Sequence, residues 1–202
     1  MTELVLVRHG ETEWNRIGKV QGRTDIPLND TGREQARAAG ERLAGSGVDA
    51  VASSPLSRAA ETARIIADGL GLEEVELVDD LVERDYGRAE GMTDGDVQRE
   101  FGGRLQAVES REDTVERVTP ALLALAARHP GQRVLVVSHG GVIGSLVRAA
   151  TRWTWPPHGE RIENGSDHVF RVADGALELV SYAGRPWSKG LLPPEDAALS
   201  RD

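Results

Sequence analysis

Two histidines occupy matching places in the sequence, each directly after a short apolar run. His9 follows "ELVLVR" and precedes Gly10, and His139 follows "RVLVVS" and precedes Gly140 and Gly141. Polar residues and glycine often end a strand simply because the chain turns toward solvent there. A single Arg-His-Gly stretch would fit that structural explanation, but the second His-Gly junction in the same chain favours a functional pair.

Three other side chains that bind anions or transfer protons also stand next to apolar segments: Arg8, Arg58 and Glu83. Ligands of an open parallel sheet bind at the carboxyl ends of its strands, so we expect these side chains to meet His9 and His139 in one crevice. Two arginines beside two histidines suit a phosphoryl group better than a metal ion, because fixed cations repel a divalent metal but form paired hydrogen bonds to phosphate oxygens. The predicted chemistry is phosphoryl transfer with no metal and no other cofactor.

Several of these residues also have a purely structural explanation when each is taken alone. Arg58 could be a solvated charge near a helix start, Glu83 is one acid in an acidic run, and Asn15 could be a turn former. The functional prediction therefore depends on their convergence.

The composition disfavours several other functions. The chain has 202 residues, with 24 Lys and Arg against 33 Asp and Glu, and its net charge of -9 predicts no binding to nucleic acid or to an anionic membrane. It has no cysteine, which removes disulfides and thiolate chemistry. The run "ELVLV" is too short for a signal peptide or a membrane span, so we expect a cytoplasmic protein. No P-loop sequence occurs, which disfavours nucleotide hydrolysis of that type.

Hydrophobic patterns place these residues on strands and helices. "ELVLV" and "RVLVV" are typical of central strands that are buried on both faces, and "VDAVASSP" predicts a further short strand. A capping box that starts at Thr31 predicts a helix over residues 32–43. Ser54 as N-cap and Pro55 in the first turn predict another helix, which ends near Gly69.

The later part of the chain continues this alternation. "EVELVDDLVE" predicts an edge strand that leads into a loop around Glu83. A short helix over "TDGDVQREFGG", a longer one with a kink or restart at Pro120 and a final one after Gly141 are expected to follow. Asp174 and Gly175 lie between two alternating runs, which predicts a β-hairpin.

These elements predict one three-layer α/β domain, with a mostly parallel central sheet and helices on both faces. We expect the domain to span residues 1–184. The segment 185–202 has no apolar period, and we expect a loosely ordered C-terminal tail.

Five sequence blocks resemble the motif series of the histidine phosphatase superfamily, also called phosphoglycerate mutase-like. They are "LVRHGETEWN", "QGRTDIPLNDTGREQA", "SSPLSRAAETA", "LVERDYGRAEG" and "VLVVSHGGVI", in the family's order. Together they cover most of the chain through about Arg148. The combination is highly specific, although any one block alone would be weak.

The resemblance implies a role for each reactive residue. His9 would be the nucleophile that forms a phosphohistidine, and it must attack as a neutral imidazole. Arg8, Arg58 and His139 would bind the phosphoryl oxygens and offset the charge of the transition state. Glu83 would protonate the leaving oxygen and then accept a proton from the attacking water.

Other residues are expected to bind the substrate. The resemblance places Asn15, Gln21 and Gly22 in a substrate-binding segment, with Arg23 as a further candidate. Gly140 is a phosphate-binding candidate on independent grounds, because a residue without Cβ lets backbone N–H groups approach an anion.

A phosphatase and a mutase can share the phosphohistidine step, and they differ in whether a lid excludes water from the intermediate. The connection over residues 91–109 is short and lacks a bulky proline-rich stretch, which predicts an open site and hydrolysis of a small phosphomonoester. Phosphoglycerate mutase activity is the alternative, and a phospholigand-binding module without turnover is less favoured. A homodimer through the edge strand or the hairpin is left open.

Overall fold

The computed structural model describes residues 1–103, 108–156 and 160–187. Its strands are β1 (Glu3–Arg8), β2 (Ala50–Ser53), β3 (Glu76–Leu77), β4 (Arg133–Ser138), β5 (Asp167–Ala173), β6 (Ala176–Tyr182) and β7 (Arg185–Pro186). Its helices are α1 (Glu13–Arg16), α2 (Asp30–Leu43), α3 (Ser57–Leu70), α4 (Asp94–Phe101), α5 (Arg111–Arg128) and α6 (Gly140–Ala150).

The seven strands form one sheet in the order β3-β2-β4-β1-β5-β6-β7. The first four strands of that order run parallel, and β5, β6 and β7 extend the sheet as antiparallel neighbours. β1 and β4 lie at the centre, as their apolar sequences predicted. The predicted α/β domain with a parallel core is confirmed.

The two faces of the sheet carry separate hydrophobic clusters, because successive strand residues point to opposite sides. Leu4 and Leu6 of β1 pack with residues of α5 and α6, such as Leu122 and Ile143. Val5 and Val7 pack on the other face with residues of α2 and α3. The continuous apolar runs of β1 and β4 thus reflect burial on both faces, and the helices form the two outer layers.

The predicted starts of α2 and α3 are wrong. The N-cap of α2 is Asn29, whose Oδ1 accepts a hydrogen bond from Gly32 N at 2.8 Å, so this helix begins before Thr31. The N-cap of α3 is Leu56, without a side-chain cap, and Ser54 lies outside the helix. Thr31 and Ser54 are residue types that often cap helices, but neither is the N-cap of α2 or α3 here. The sequence pattern therefore placed both starts at the wrong residue.

The predicted edge strand after α3 is much shorter than expected. Of that segment, only Glu76–Leu77 (β3) pairs with β2, and the chain then forms a 3-10 turn over Asp79–Leu81, which buries Leu81. An edge strand has one pairing partner, so few hydrogen bonds are lost when the chain leaves the sheet there. α5 continues through Pro120 and does not restart there.

The predicted hairpin is present, since Asp174 and Gly175 connect β5 and β6. Residues 185–186, at the start of the predicted tail, pair with β6 as β7. Residues 188–202 lie outside the described part of the chain. Within the described part, no helix is long and apolar enough to cross a membrane.

Candidate active site

Both histidines lie at the carboxyl end of the parallel strands. His9 follows β1, His139 follows β4, and these neighbouring strands place Arg8 opposite Ser138. The ring centroids of the two histidines are 5.2 Å apart, and each side chain is at most 3% exposed. The register of β1 and β4 thus brings together two residues that are 130 positions apart in sequence.

The tautomer of His9 is fixed by its own loop. Nδ1 lies 2.7 Å from the carbonyl oxygen of Gly10, which can only accept, so Nδ1 carries the proton and Nε2 keeps its lone pair. Burial, with the positive charges of Arg58 and Arg8, lowers the pKa of His9 well below its ordinary value. His9 is therefore a neutral imidazole whose unprotonated Nε2 accepts a hydrogen bond from Arg58 Nε at 3.3 Å.

His139 has the opposite tautomer. Its Nε2 lies 2.8 Å from Ser54 Oγ, and that oxygen already accepts a hydrogen bond from Leu56 N at 3.3 Å. No other acceptor for the Ser54 hydroxyl occurs among the described residues, so Ser54 donates to Nε2 and the ring proton resides on Nδ1. Burial and the Arg58 charge lower the pKa of His139, which keeps this imidazole neutral as well.

Arg58 is completely buried in the first turn of α3. Its Nη1 and Nη2 donate to the carbonyl oxygens of Thr24 (2.9 Å) and Gly22 (2.7 Å), and its Nε lies 3.3 Å from His9 Nε2. The Gln21 amide satisfies its neighbours when its oxygen faces Arg58, 2.6 Å from Nε. Burial lowers the pKa of Arg58 to about 10, so the guanidinium stays charged at neutral pH.

The loop that holds Arg58 depends on Gly22 and Glu90. Gly22 has a φ of 54°, and a Cβ there would overlap the Glu90 carboxylate. Glu90 accepts hydrogen bonds from the backbone N of Arg23 (2.9 Å) and of Thr24 (2.9 Å). The predicted segment around Gln21 and Gly22 therefore contacts Arg58 through backbone carbonyls and an amide.

Arg8 ends β1 beside the first residue of α6. One Nη atom donates to the Ile162 carbonyl, whereas the buried Nε has no hydrogen-bond partner among the described residues. A Cβ at Gly140 would lie 3.3 Å from Arg8 Nε, so glycine allows this close approach. Burial lowers the pKa of Arg8, and the nearby Glu83 charge opposes that shift.

Glu83 is bound to the N-terminus of α6. Its Oε2 accepts from Gly141 N at 2.9 Å, and its Oε1 accepts from Val142 N at 3.1 Å and Arg84 N at 2.8 Å. Unsatisfied N–H groups in the first turn of a helix attract a carboxylate in this way. The helix that starts after His139 thus also places the carboxyl group of Glu83.

Asn15 lies near the site, where its side-chain oxygen accepts hydrogen bonds from its own helix cap and from Asn164. Its Oδ1 accepts from Thr12 N at 3.3 Å in the capping box of α1. Asn164 donates to His9 O at 2.8 Å and to Asn15 Oδ1 at 3.4 Å. α1 was not predicted, and Asn164 was absent from the predicted site.

The sequence prediction missed three residues that contact the site. They are Ser54, which bonds to His139, Asn164, which bonds to His9, and Glu90, which bonds to the loop that holds Arg58. Ser54 was interpreted as a helix cap, although the same hydroxyl serves His139. For Asn164 the only signal was its place in "ENGS", and for Glu90 it was a place in the same block as Glu83. No group of three or more metal-ligating side chains occurs in the described part of the chain.

Comparison with known proteins identifies the family. The model of the histidine phosphatase superfamily (branch 1) matches residues 4–184. The chain belongs to this superfamily.

The relatives include proteins with phosphatase and mutase names. The uncharacterized phosphatase PhoE of Bacillus subtilis (strain 168) is 43% identical over 190 residues, which cover 93% of this chain and 92% of PhoE. Phosphoglycerate mutase-like protein 4 of Arabidopsis thaliana is 40% identical, over 86% of this chain and 80% of that protein. The solved structure of a mycobacterial glucosyl-3-phosphoglycerate phosphatase has a TM-score of 0.81 at 30% identity and covers 90% of this chain and 98% of that one. Fold, family and relatives together identify this chain as an enzyme of the phosphatase type.

Proposed function

We propose that this chain hydrolyses phosphomonoesters without a metal, through a phosphohistidine on His9. The observation that carries the proposal is the fixed tautomer of His9, which leaves Nε2 unprotonated and facing the guanidinium group of Arg58. Two buried donors of the same cluster, Arg8 Nε and His139 Nδ1, have no hydrogen-bond partner in the described structure. The oxygens of a phosphoryl group would satisfy both donors and lie against the cations.

In the first step, His9 Nε2 attacks phosphorus while the bond from phosphorus to the ester oxygen breaks. The guanidinium groups of Arg8 and Arg58 offset the negative charge on the equatorial oxygens, and neutral His139 donates a hydrogen bond through Nδ1–H. The leaving oxygen departs as an alcohol because the Glu83 carboxyl group gives it a proton.

The hydrogen bonds of Glu83 indicate which oxygen carries that proton. Oε1 accepts two backbone N–H groups, whereas Oε2 accepts one, from Gly141. A carboxyl oxygen has two acceptor directions, so Oε2 keeps a free one. We assign proton transfer to Oε2.

In the second step, Glu83 is ionised and takes a proton from a water molecule. The water oxygen attacks phosphorus, the bond from phosphorus to His9 Nε2 breaks, and inorganic phosphate leaves. His9 returns to the neutral imidazole and Glu83 to the protonated acid, so the cycle closes with ester and water consumed.

Phosphoglycerate mutase activity is the second candidate because several relatives carry mutase names. A mutase must protect the phosphohistidine from water and pass the phosphoryl group to a second hydroxyl. The short connection between Gly91 and Glu109, with α4 as its only helix among the described residues, favours hydrolysis. The substrate we propose is a small phosphomonoester.

Replacement of His9 tests the proposed nucleophile. We expect His9→Ala to lower kcat on p-nitrophenyl phosphate by roughly 10³-fold or more, with no metal added, because the covalent step is lost. His129→Ala is the matched control, since His129 lies at the end of α5 and bonds to Gln132. Wild-type protein incubated with labelled phosphate ester and quenched in acid is expected to carry a base-stable label that His9→Ala lacks.

The alternatives have distinct results. A label on serine, threonine or aspartate would refute the phosphohistidine mechanism. Binding of phosphate analogues without turnover from pH 5 to 8 would identify a binding module. Isomerisation of 3-phosphoglycerate that exceeds phosphate release would identify a mutase.

A further inference from the structure

The backbone around Glu83 lies between two 3-10 turns, Asp79–Leu81 and Gly87–Ala89, and forms no regular element of its own. The N-terminus of α6 holds the carboxyl group of Glu83, but it does not hold the backbone from which that side chain extends. This backbone is held instead by a second buried carboxylate, Glu109, which accepts a hydrogen bond from it, and by two arginines that bind Glu109 and donate to the carbonyl groups of this backbone.

The Glu109 side chain is 10% exposed and forms a paired contact with Arg117. Arg117 Nε and Nη2 donate to its two carboxylate oxygens at 2.8 and 3.1 Å, and Arg117 Nη1 donates to the carbonyl oxygens of Asp80 and of Val82 (3.2 Å). Arg117 therefore links Glu109 to the backbone that precedes Glu83.

Glu109 also bonds directly to the backbone that follows Glu83. Asp85 N donates to Glu109 Oε2 at 3.1 Å, and Glu109 N donates to Asp85 O at 3.1 Å. Arg84 Nη2 donates to the Glu109 carbonyl at 2.9 Å. Both neighbours on the C-terminal side of Glu83 are thus held by one residue.

Arg23 connects this arrangement to the loop that holds Arg58. Its Nη2 donates to Glu109 Oε2 at 3.3 Å, and its Nε donates to the Glu83 carbonyl at 3.4 Å. The preceding residue, Gly22, accepts the Arg58 hydrogen bond through its carbonyl oxygen. Glu109 thus lies between the backbone of the proposed acid and the loop that binds the phosphate-site arginine.

We infer that Glu109 is a positioning residue for Glu83, an inference that rests on the proposed function. Glu109 fixes the position of the Glu83 backbone relative to α6. This position sets the distance between Glu83 Oε2 and the leaving oxygen of the substrate. Proton transfer needs a heavy-atom distance of about 2.6–3.2 Å, so a small displacement of this backbone reduces proton delivery. The negative charge of Glu109 is required because Arg117 and Arg23 both donate to it.

Leaving-group dependence separates this role from a general loss of structure. Departure of p-nitrophenolate needs little protonation, whereas an alkoxide such as that of glycerol 2-phosphate must be protonated as it leaves. The ratio kcat/KM reports the first phosphoryl transfer and not the later attack of water on the phosphohistidine. A displaced acid therefore lowers kcat/KM for the alkyl ester much more than for the aryl ester.

The test uses Glu109→Gln and Glu109→Ala in the full chain. We expect kcat/KM for glycerol 2-phosphate to fall about 10-fold in Glu109→Gln and about 100-fold in Glu109→Ala, against less than about 3-fold for p-nitrophenyl phosphate. Glu3→Gln is the matched control, because Glu3 also binds two arginines, Arg133 and Arg171, at the opposite end of β1. This control is expected to leave both ratios within about 2-fold of wild type.

Thermal unfolding of each variant is measured beside its kinetics. If Glu109→Ala does not fold, Arg117→Lys replaces it, because lysine removes the paired contact with Glu109 more mildly. Equal losses on both esters would overturn the inference, and so would unchanged kinetics in Glu109→Gln. Failure of the proposed function has a different signature, since wild-type protein would then give no base-stable phosphate label, whatever the variants do.

Discussion

At the residue scale, the site holds two neutral imidazoles in opposite tautomers. The Gly10 carbonyl accepts a hydrogen bond from His9 Nδ1–H and leaves Nε2 unprotonated, whereas Ser54 donates to His139 Nε2 and leaves Nδ1–H as a donor. Burial and Arg58 lower the pKa of both rings, so neither needs to lose a proton before substrate binds. One hydrogen bond to each ring thus decides which nitrogen of that histidine carries the proton.

Removal of the Ser54 hydroxyl is expected to weaken His139 as a donor. In Ser54→Ala both tautomers of His139 become accessible. We expect kcat/KM to fall about 5-fold, which corresponds to the loss of one hydrogen bond of about 1 kcal/mol. Ser53→Ala is the matched control, because Ser53 is equally buried and its hydroxyl donates to the Ser54 carbonyl at 2.9 Å. Steady-state kinetics and nitrogen NMR of the His139 ring measure both effects.

Equal losses in the two serine variants would assign the effect to packing of β2 and not to the tautomer of His139. An unchanged ring spectrum in Ser54→Ala would lead to the same conclusion.

At the scale of elements, α6 has two functions that meet at its first turn. It buries Val142, Ile143 and Leu146 against the sheet, and its free N–H groups bind the Glu83 carboxyl group. A Cβ at Gly141 would overlap Glu83 Oε1 and would lie 2.8 Å from the Tyr86 hydroxyl oxygen. The absence of a side chain at position 141 is therefore required by the contact with Glu83.

Gly141→Ala is expected to separate activity from stability. The added methyl group displaces the Glu83 carboxyl group, and we expect kcat/KM for an alkyl phosphate to fall about 100-fold. Gly69→Ala, where a Cβ meets nothing within 4 Å, is the control and is expected to keep activity and to gain about 0.5 kcal/mol because alanine favours a helix. Kinetics and urea unfolding of both variants test this difference, and wild-type activity in Gly141→Ala would refute it.

At the scale of the whole molecule, buried neutral histidines couple folding to pH. His168 in β5 is 1% exposed, and Ala183 N donates to its Nδ1 at 3.3 Å. Burial lowers the pKa of His168 to about 4. Below about pH 6.5 the unfolded chain binds a proton that the folded chain does not bind until about pH 4, so stability is lost over this window.

His168→Gln is expected to reduce this pH dependence. Between pH 7 and pH 4.5, His168 accounts for about 2 kcal/mol of the fall in unfolding free energy, which glutamine lacks because it does not titrate. The variant loses the ring contact with Tyr182 and is expected to be less stable at pH 7, but its stability changes less with pH. Urea unfolding at both pH values measures the difference, and parallel losses in both proteins would contradict it.

The tertiary structure decided the features that depend on long-range contacts. Ser54 has capping chemistry, yet its hydroxyl bonds to a histidine 85 positions away, and α3 starts three residues later. Likewise, nothing local to Glu109 indicates that Arg23 and Arg117 would both bind its carboxylate. Hydrogen-bond partners at such separations depend on how the loops pack, which sequence patterns do not encode.

The sequence by itself determined the family and the central strands, and it predicted which polar side chains meet at their carboxyl ends. The apolar pattern of a strand that is buried on both faces is local in the sequence, so the runs of β1 and β4 were sufficient to predict parallel strands with His9 and His139 at their carboxyl ends. The structure alone decided which ring nitrogen of each histidine carries its proton, which oxygen of Glu83 is free and what holds Glu83 in place. Those features depend on donors and acceptors that meet only when the chain is folded.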